Sequence, residues 1–497
     1  MGPDLARAAC LALIGLLVVP AGLAQGLPPT SAAAEPKATP IDPVDPIAVA
    51  PLAAPDPQAT GILPARAAGL PADLWARSDP ARLVDLLDRV PTGILPAGQA
   101  LFRRLLLIEA TPPATDHDRQ LLTARIRTLL RLGEVEAAKS LIERAGPNQP
   151  DLFRLWFDTL LLTGSEDRGC ATLQAKPELA PDYATRIFCL ARTGRWTTAA
   201  LTLGTATALN ALDDGTQDRL ARFLDPDLFE DGQPAAVPDP VTPLDYRLLE
   251  AIGEPLPLTG LPLSYAQSDL RHIVGWKAQI EAAERLARAG SLDPNVLLGI
   301  YTARRPAASG GVWDRVALMQ RLDVALSSAS IAGIGAYLPV TRAAMTQAGL
   351  YPVLARMVAP RLGRIDVQGD AALVAYELAL VSNETAAFRP PPDGLALSPR
   401  QAALAALAQN RPLPAAAPAI AQSMATGLTA KGVADADRAA LADGRLGEAL
   451  LRALIPLEPD GEADADDVAD ALRVLRAAGL HSTARHAALQ YLSLSAP

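Results

Sequence analysis

Aromatic residues are scarce in this chain. Phe, Trp and Tyr together make up 4% of 497 residues, while Ala, Leu and Arg recur throughout. Helix-favouring residues therefore dominate, the aromatic and β-branched residues that suit strands are thin, and no run alternates apolar with polar for long, so no sheet is expected. Histidine is limited to His117, His272, His481 and His486. The last two lie five apart on one expected helix, off a common face, and nothing nearby completes a ligand set, so neither a metal centre nor a cofactor site is expected. Lys and Arg do not cluster and the net charge is −9, which excludes a nucleic-acid partner, because phosphate binding needs a basic patch. Beyond the N-terminus no uncharged apolar run reaches the roughly 20 residues of a membrane span. Ser309 has no strand before it and no Gly-x-Ser-x-Gly elbow around it, which removes the serine-hydrolase reading.

Cysteine is nearly absent too. Cys10 lies in an apolar run, Ala8 to Val19, that follows Arg7 and ends at Pro20, with small residues at Gly22-Leu23-Ala24. This is the pattern of a secretory signal peptide, residues 1–24, cut near Ala24-Gln25; the alternative is a retained N-terminal anchor. After cleavage Cys170 and Cys189 remain, an even pair in an exported chain. They sit almost equally far from the Pro177 to Pro181 turn, so an antiparallel helix hairpin brings them face to face. A disulfide is expected there, worth roughly 3 kcal/mol for a loop of that size; the other reading is two buried thiols acting as small hydrophobes.

What the chain does contain is proline at the start and amphipathic helix afterwards. Residues 25–70, with runs such as Pro40-Ile41-Asp42-Pro43-Val44-Asp45-Pro46, cannot build a core. They read as a disordered Pro/Ala-rich tether that at ~3.1 Å per residue reaches on the order of 100 Å. Then Pro80 to Arg89 places Leu83, Leu86 and Leu87 on one face, Asp118 to Leu132 places Leu122, Ile126 and Leu130, and Leu270 to Ala289 places Ile273, Trp276, Ile280 and Leu286. Helices this short cannot bury their stripes alone and must stack. A stretch rich in Pro, Gly and acid, residues 236–262, holds one helix from Thr242 to Ile252 and separates two expected lobes, 71–235 and 263–497.

A recurring punctuation carries a resemblance. Gly133, Gly194 and Gly479 each end a helix, and Ala137-Ala138, Ala199-Ala200 and Ala484 with Ala488 follow. Glycine turns the chain at positive φ, and the alanines let the next helix approach closely. The unit resembles the helical pair of the tetratricopeptide family. That resemblance implies an all-α fold, a right-handed superhelical α-solenoid of short antiparallel helix pairs. The chain is also similar to the helical solenoid of soluble lytic transglycosylases, without the catalytic Glu-Ser pair and Gly-Leu-Met-Gln stretch of that family's lysozyme-like domain. It further resembles exported Gram-negative bacterial proteins labelled antifreeze-glycopeptide-related, a label that follows Ala/Thr/Pro composition. Together these imply a periplasmic location and, as partner, an envelope protein or a peptidoglycan-associated complex.

Three stretches invite a chemical reading. The connector from Arg304 to Arg315 offers Arg304 and Arg305, a flexible Ser309-Gly310-Gly311, then Trp313 and Arg315. Backbone amides of Ser309 to Gly311 at a helix start make this a candidate anion or peptide-binding loop, against the plainer reading of a connector anchored by Trp313. The acids Asp460, Glu462, Asp464, Asp466 and Asp467 superficially resemble a calcium loop, but Ala465 stands where glycine is needed and Ala471 where the bidentate Glu belongs. They fit a helix N-terminus and its dipole. Glu377 or Glu384, near Tyr376, would serve a cell-wall enzyme only in a cleft that raises its pKa. With no catalytic residue assigned, the expected function is a scaffold or adaptor that binds another envelope protein; the alternative is a peptidoglycan-associated enzyme or its non-catalytic relative.

Overall fold

Capping side chains and left-handed glycines cut the chain into short helices. The computed structural model describes residues 59–229, 233–382, 396–459 and 461–495. Its elements begin β1 (Leu63–Pro64), α1 (Ala65–Ala68), α2 (Pro80–Arg89), α3 (Pro96–Leu107), β2 (Ile108–Glu109), α4 (Gln120–Arg131), α5 (Val135–Ala145) and α6 (Pro150–Thr163). Then come α7 (Glu166–Ala175), α8 (Tyr183–Arg192), α9 (Trp196–Ala208), α10 (Asp214–Leu224) and α11 (Pro243–Ala251). A 3-10 stretch, Leu263–Leu270, leads to α12 (Trp276–Arg288), α13 (Pro294–Thr302), α14 (Val312–Ser327), α15 (Ile331–Gln347), α16 (Tyr351–Leu362) and α17 (Asp370–Val381). The last six are α18 (Pro399–Ala408), α19 (Ala419–Thr429), α20 (Asp435–Ala442), α21 (Leu446–Leu454), α22 (Ala465–Ala477) and α23 (His481–Leu494). The fold is all-α apart from one small parallel pair. The signal peptide, most of the tether, Glu384, the prolines 390–392 and Asp460 lie outside the described residues.

Local chemistry explains the boundaries. Asp79, Asp182, Thr242, Ser398 and Asp464 each accept an amide hydrogen bond from the first turn they precede, satisfying donors that a helix start leaves free. At Gly133, Gly194 and Gly479 φ is 77°, 77° and 80°, the conformation expected of those glycines. Consecutive helices pack on one another, as α4 does on α5, α8 on α9 and α22 on α23.

Three expectations change. The absence of a sheet gives way to β1 and β2, paired in parallel with Leu63 opposite Ile108; two residues per strand are too few to show any alternation. The tether expected through Leu70 ends sooner, since Ala68 and Leu70 are buried. At Gly61 a Cβ would lie 2.2 Å from the Glu109 nitrogen, so only glycine lets the incoming chain reach β2. The helix expected from Leu270 begins only at Trp276. Gly275 has ψ of 143°, and Arg271 is held extended by its own bond to the Ser268 carbonyl and by Gln279, which donates to the Arg271 carbonyl at 2.8 Å. Ile273 is consequently 79% exposed, not part of a buried stripe.

The largest cluster of buried side chains is shared between the two ends of the chain. One apolar core takes Leu83, Phe102 and Leu160 together with Leu404, Leu450 and Leu489; a second lies between Trp276 and Val381. The cover for the first helices comes from the last ones, with α23 against α3 and α21 against α2. The first core thus draws on both expected lobes, 71–235 and 263–497, while the second lies within 263–497. Two buried polar side chains fasten the first core. Arg125, 1% exposed, donates to the carbonyls of Leu106, Thr60 and Ile108 at 2.8, 3.0 and 2.7 Å, tying β2 and the segment before β1 to α4. Burial lowers its pKa to about 10. Gln490, fully buried, accepts from the Ala97 amide at 2.8 Å and donates to the Val381 carbonyl at 2.9 Å.

Cys170 and Cys189 form the expected disulfide, with their Cα atoms 4.9 Å apart and both residues buried between α7 and α8. Thiol labelling of the unreduced, denatured protein should find neither cysteine reactive. The Cys170→Ala, Cys189→Ala double variant should lose roughly 3 kcal/mol in urea titration; two labelled thiols in the wild type would contradict the bond.

Candidate functional site

Helix α12 carries an acid in the middle of its apolar stripe. Ile280, Ala283 and Ala287 are buried on one face, and Glu284, only 3% exposed, lies among them. A carboxylate is tolerated there because three donors meet it. Arg315 from the first turn of α14 forms a bidentate pair at 2.9 and 2.6 Å, and the Tyr301 hydroxyl of α13 donates at 2.8 Å. Arg288 lies 3.8 Å away. Charge-assisted, two-pronged bonds of this kind are what a buried carboxylate requires. Burial, then the negative charge of Glu284, raises the Tyr301 pKa well above the usual phenol range.

A strap of chain crosses beside this group. Residues 255–261 run from α11 toward the 3-10 stretch, with Leu256, Leu258 and Leu261 packed against Tyr246, Tyr265, Leu162 and Val135. Arg285 of α12 donates to the Leu258 carbonyl at 2.9 Å and also to the Leu261 carbonyl, and the Tyr265 hydroxyl donates to the Val241 carbonyl at 2.6 Å. Strap, α11, α12 and the start of α14 enclose an open cleft of about 990 Å³. Seven charged side chains line it, Glu250, Asp269, Glu281, Glu284, Arg285, Arg288 and Arg315. Each already has a partner: Arg247 and Arg271 hold Glu250, Tyr246 donates to Asp269 at 3.2 Å, and Lys277 pairs with Glu281 at 3.6 Å. Burial, partly offset by the Tyr246 bond, raises the Asp269 carboxyl above its ordinary range.

The ion pairs continue behind the cleft into the first half of the chain. Arg247 bonds Glu166 of α7 at 2.8 Å, where Glu166 is 3% exposed, and Ser268 donates to the Leu162 carbonyl at 3.1 Å. Asp158 of α6 belongs to this seam. Burial, with a smaller push from Asp182 and against the pull of Arg154, raises its pKa to about 7. Its charge in turn helps burial raise the Tyr265 pKa.

The sequence-predicted loop is split by the fold. Arg304, Arg305, Ser309, Gly310 and Gly311 are exposed between α13 and α14. The Gly310 amide donates to Asp314 at 3.0 Å and the Arg304 carbonyl accepts from Gln320 at 2.7 Å. Trp313 turns inward against Trp276, ring centroids 5.1 Å apart, and Arg315 enters the cleft. The loop and the cleft thus share one helix start but face different surroundings. Missing from the sequence reading were Glu284, Tyr301, Tyr246 and Asp269. Glu284 had a readable signal, an acid at i+4 from Ile280 on an apolar stripe; the others acquire meaning only from partners distant in sequence.

Elsewhere, Asp464 caps α22 by accepting from the Asp466 and Asp467 amides, both at 2.9 Å, the arrangement expected of acids at a helix start. Glu377 pairs with Arg342 at 2.6 Å and accepts from Gln401 at 2.8 Å. Among the described residues no three His, Cys, Asp or Glu side chains are placed to share a metal ion. No described helix is long and apolar enough to cross a membrane. Comparison of the chain with protein-family models, curated proteins and solved structures found no match.

Two substitutions test this electrostatic description. Glu284→Gln leaves Arg315 without its charge partner and should cost about 3 kcal/mol in urea denaturation; an unchanged midpoint would remove the pair from the core's support. Asp158 binds its proton more tightly folded than unfolded, so it makes stability fall as pH rises from about 4 toward about 7. Asp158→Asn should raise Tm at pH 8 by ~1–4 °C and flatten the decline between pH 5.5 and 8. Parallel pH profiles for variant and wild type would count against it.

Proposed function

We propose that this chain is a periplasmic helical-repeat scaffold or adaptor that binds another cell-envelope protein or a peptidoglycan-associated complex. On this reading its helix pairs are tetratricopeptide-like units of a right-handed superhelical array, and the N-terminal signal peptide delivers it across the inner membrane; retained as an anchor instead, that segment would let the Pro-rich tether space the body from the surface. The observation that carries the reading is the cleft under the strap. It is wide and open, and all seven of its charged side chains are engaged by internal partners. Fixed polar walls of that kind suit the holding of a polypeptide, whereas proton transfer needs a group free to give or take a proton in the cleft. Beside lining residue Val274 stands Ile273, 79% exposed, an apolar anchor of the type that dominates docking energy when a partner covers it.

The competing reading, a peptidoglycan-associated enzyme, would rest on Glu384 or Glu377 near Tyr376; Glu384 lies outside the described residues, which leaves Glu377. That carboxylate is already held by Arg342 and Gln401.

Crosslinking pull-down from the native cell envelope is the test. The wild type should recover a discrete envelope partner, and Ile273→Asp should cut its yield by about tenfold, an effect of about 1.4 kcal/mol, while Tm stays within ~1 °C of wild type. Equal recovery by the variant would move the docking surface away from the cleft. Release of soluble fragments from purified sacculi by the protein would overturn the adaptor reading in favour of the enzyme.

A further inference from the structure

A second, more enclosed cavity lies where the first helices meet the middle of the chain. It has a volume of about 220 Å³ and opens between α3, the end of α4, the turn after α12, and α16. One part of its wall is apolar, with Ile94, Phe102, Leu106 and Leu129 all buried and Leu132 beside them, and Thr92, Gln99, Ser291 and Ser382 add uncharged polar groups. Three of its lining side chains are charged. Arg103 and Glu134 pair at 2.9 Å, and Arg356, which also lines the cavity, is exposed and pairs with no acid among the described residues. Two guanidiniums against one carboxylate leave a single unmatched positive charge over an apolar pocket.

We propose that this cavity binds a small amphiphilic monocarboxylate, an aliphatic or aryl acid whose apolar body fills the space between Phe102, Leu106 and Leu129 while its carboxylate pairs with Arg356. An apolar wall joined to a charged group that fixes orientation is the general character of small-ligand sites. The volume admits roughly seven water-sized groups, which matches a medium alkyl chain or one substituted ring and excludes a long acyl chain. Arg offers the carboxylate a two-pronged contact that an ammonium cannot. Arg103 does not compete for the ligand, because Glu134 already satisfies it. The Glu134 carboxyl is itself raised above its ordinary range by burial, with Arg103 opposing, so the pair is partly withdrawn from water beside the apolar wall. Because the lining comes both from α3 and α4 in the first half of the chain and from the α12 turn and α16, an occupant bridges the two cores and should stabilise the folded chain by linkage.

Isothermal titration of the full chain with sodium octanoate tests this, with octylammonium as the same tail bearing the opposite charge. Octanoate should bind once per chain with a dissociation constant on the order of 0.1 mM, the range open to a ligand of about ten heavy atoms, and should raise Tm. Octylammonium should bind at least tenfold more weakly. Arg356→Gln, at an exposed position, should weaken octanoate at least tenfold with Tm of the free protein unchanged. Ala100→Trp, at another exposed lining position, should block the mouth and abolish binding. The proposal is overturned by no heat or Tm shift with octanoate up to ~5 mM, by equal affinity for the two tails, or by an Arg356→Gln protein that binds octanoate as the wild type does. None of these outcomes depends on whether the protein captures an envelope partner.

Discussion

The carboxamide of Gln490 closes the chain on itself. Helix α3 begins at Pro96 after Leu95, a residue with no side-chain acceptor, so the Ala97 amide has no local cap. A carbonyl at the end of α17, that of Val381, is in the matching position at a C-terminus. One buried side chain on the last helix serves both, accepting from the first and donating to the second. Unsatisfied helix-end groups in a dry interior are costly, so α3, α17 and α23 are held together by a requirement and not by apolar contact alone. The closure decides where the core lies: α21 and α23 cover α2 and α3.

Charge is used inside this molecule as a fastening. Glu166, Arg247, Glu250 and Arg271 link α7 to α11 and to the segment before α12, and Glu284 with Arg315 and Tyr301 continues the pattern into α13 and α14. Buried pairs of this kind add little net stability over apolar substitutes, but they penalise any arrangement that separates the partners. The same engagement leaves the cleft walls chemically occupied, and it is why the proposed role is one of holding. Arg356, by contrast, pairs with no acid among the described residues, and that difference is what sets the smaller cavity apart.

Much of the local structure was legible in residue order. Leu83, Leu86 and Leu87 mark the buried face of α2, the glycines at 133, 194 and 479 mark helix ends, and the symmetric placement of Cys170 and Cys189 about a proline turn marks their bond. The reading went astray where a short-range pattern had a tertiary rival. Ile273 fits the stripe of Trp276 and Ile280 by spacing, yet Gly275 and the bonds to Arg271 keep it out of the helix. β1 and β2 are too short to carry any periodicity. The residues of the Arg304 to Arg315 loop part company, Trp313 and Arg315 inward and Arg304, Arg305, Ser309, Gly310 and Gly311 to solvent.

Residue order by itself determined the class of fold, the lengths and ends of most helices, and the cysteine pairing, because each depends on interactions spanning a few turns of one chain segment. Tertiary structure alone decided which helices share a core, which acids and arginines meet across the seam, and where the two cavities open. Those depend on contacts such as Ala97 with Gln490, separated by 393 positions, and no local propensity or spacing encodes a partner at that distance.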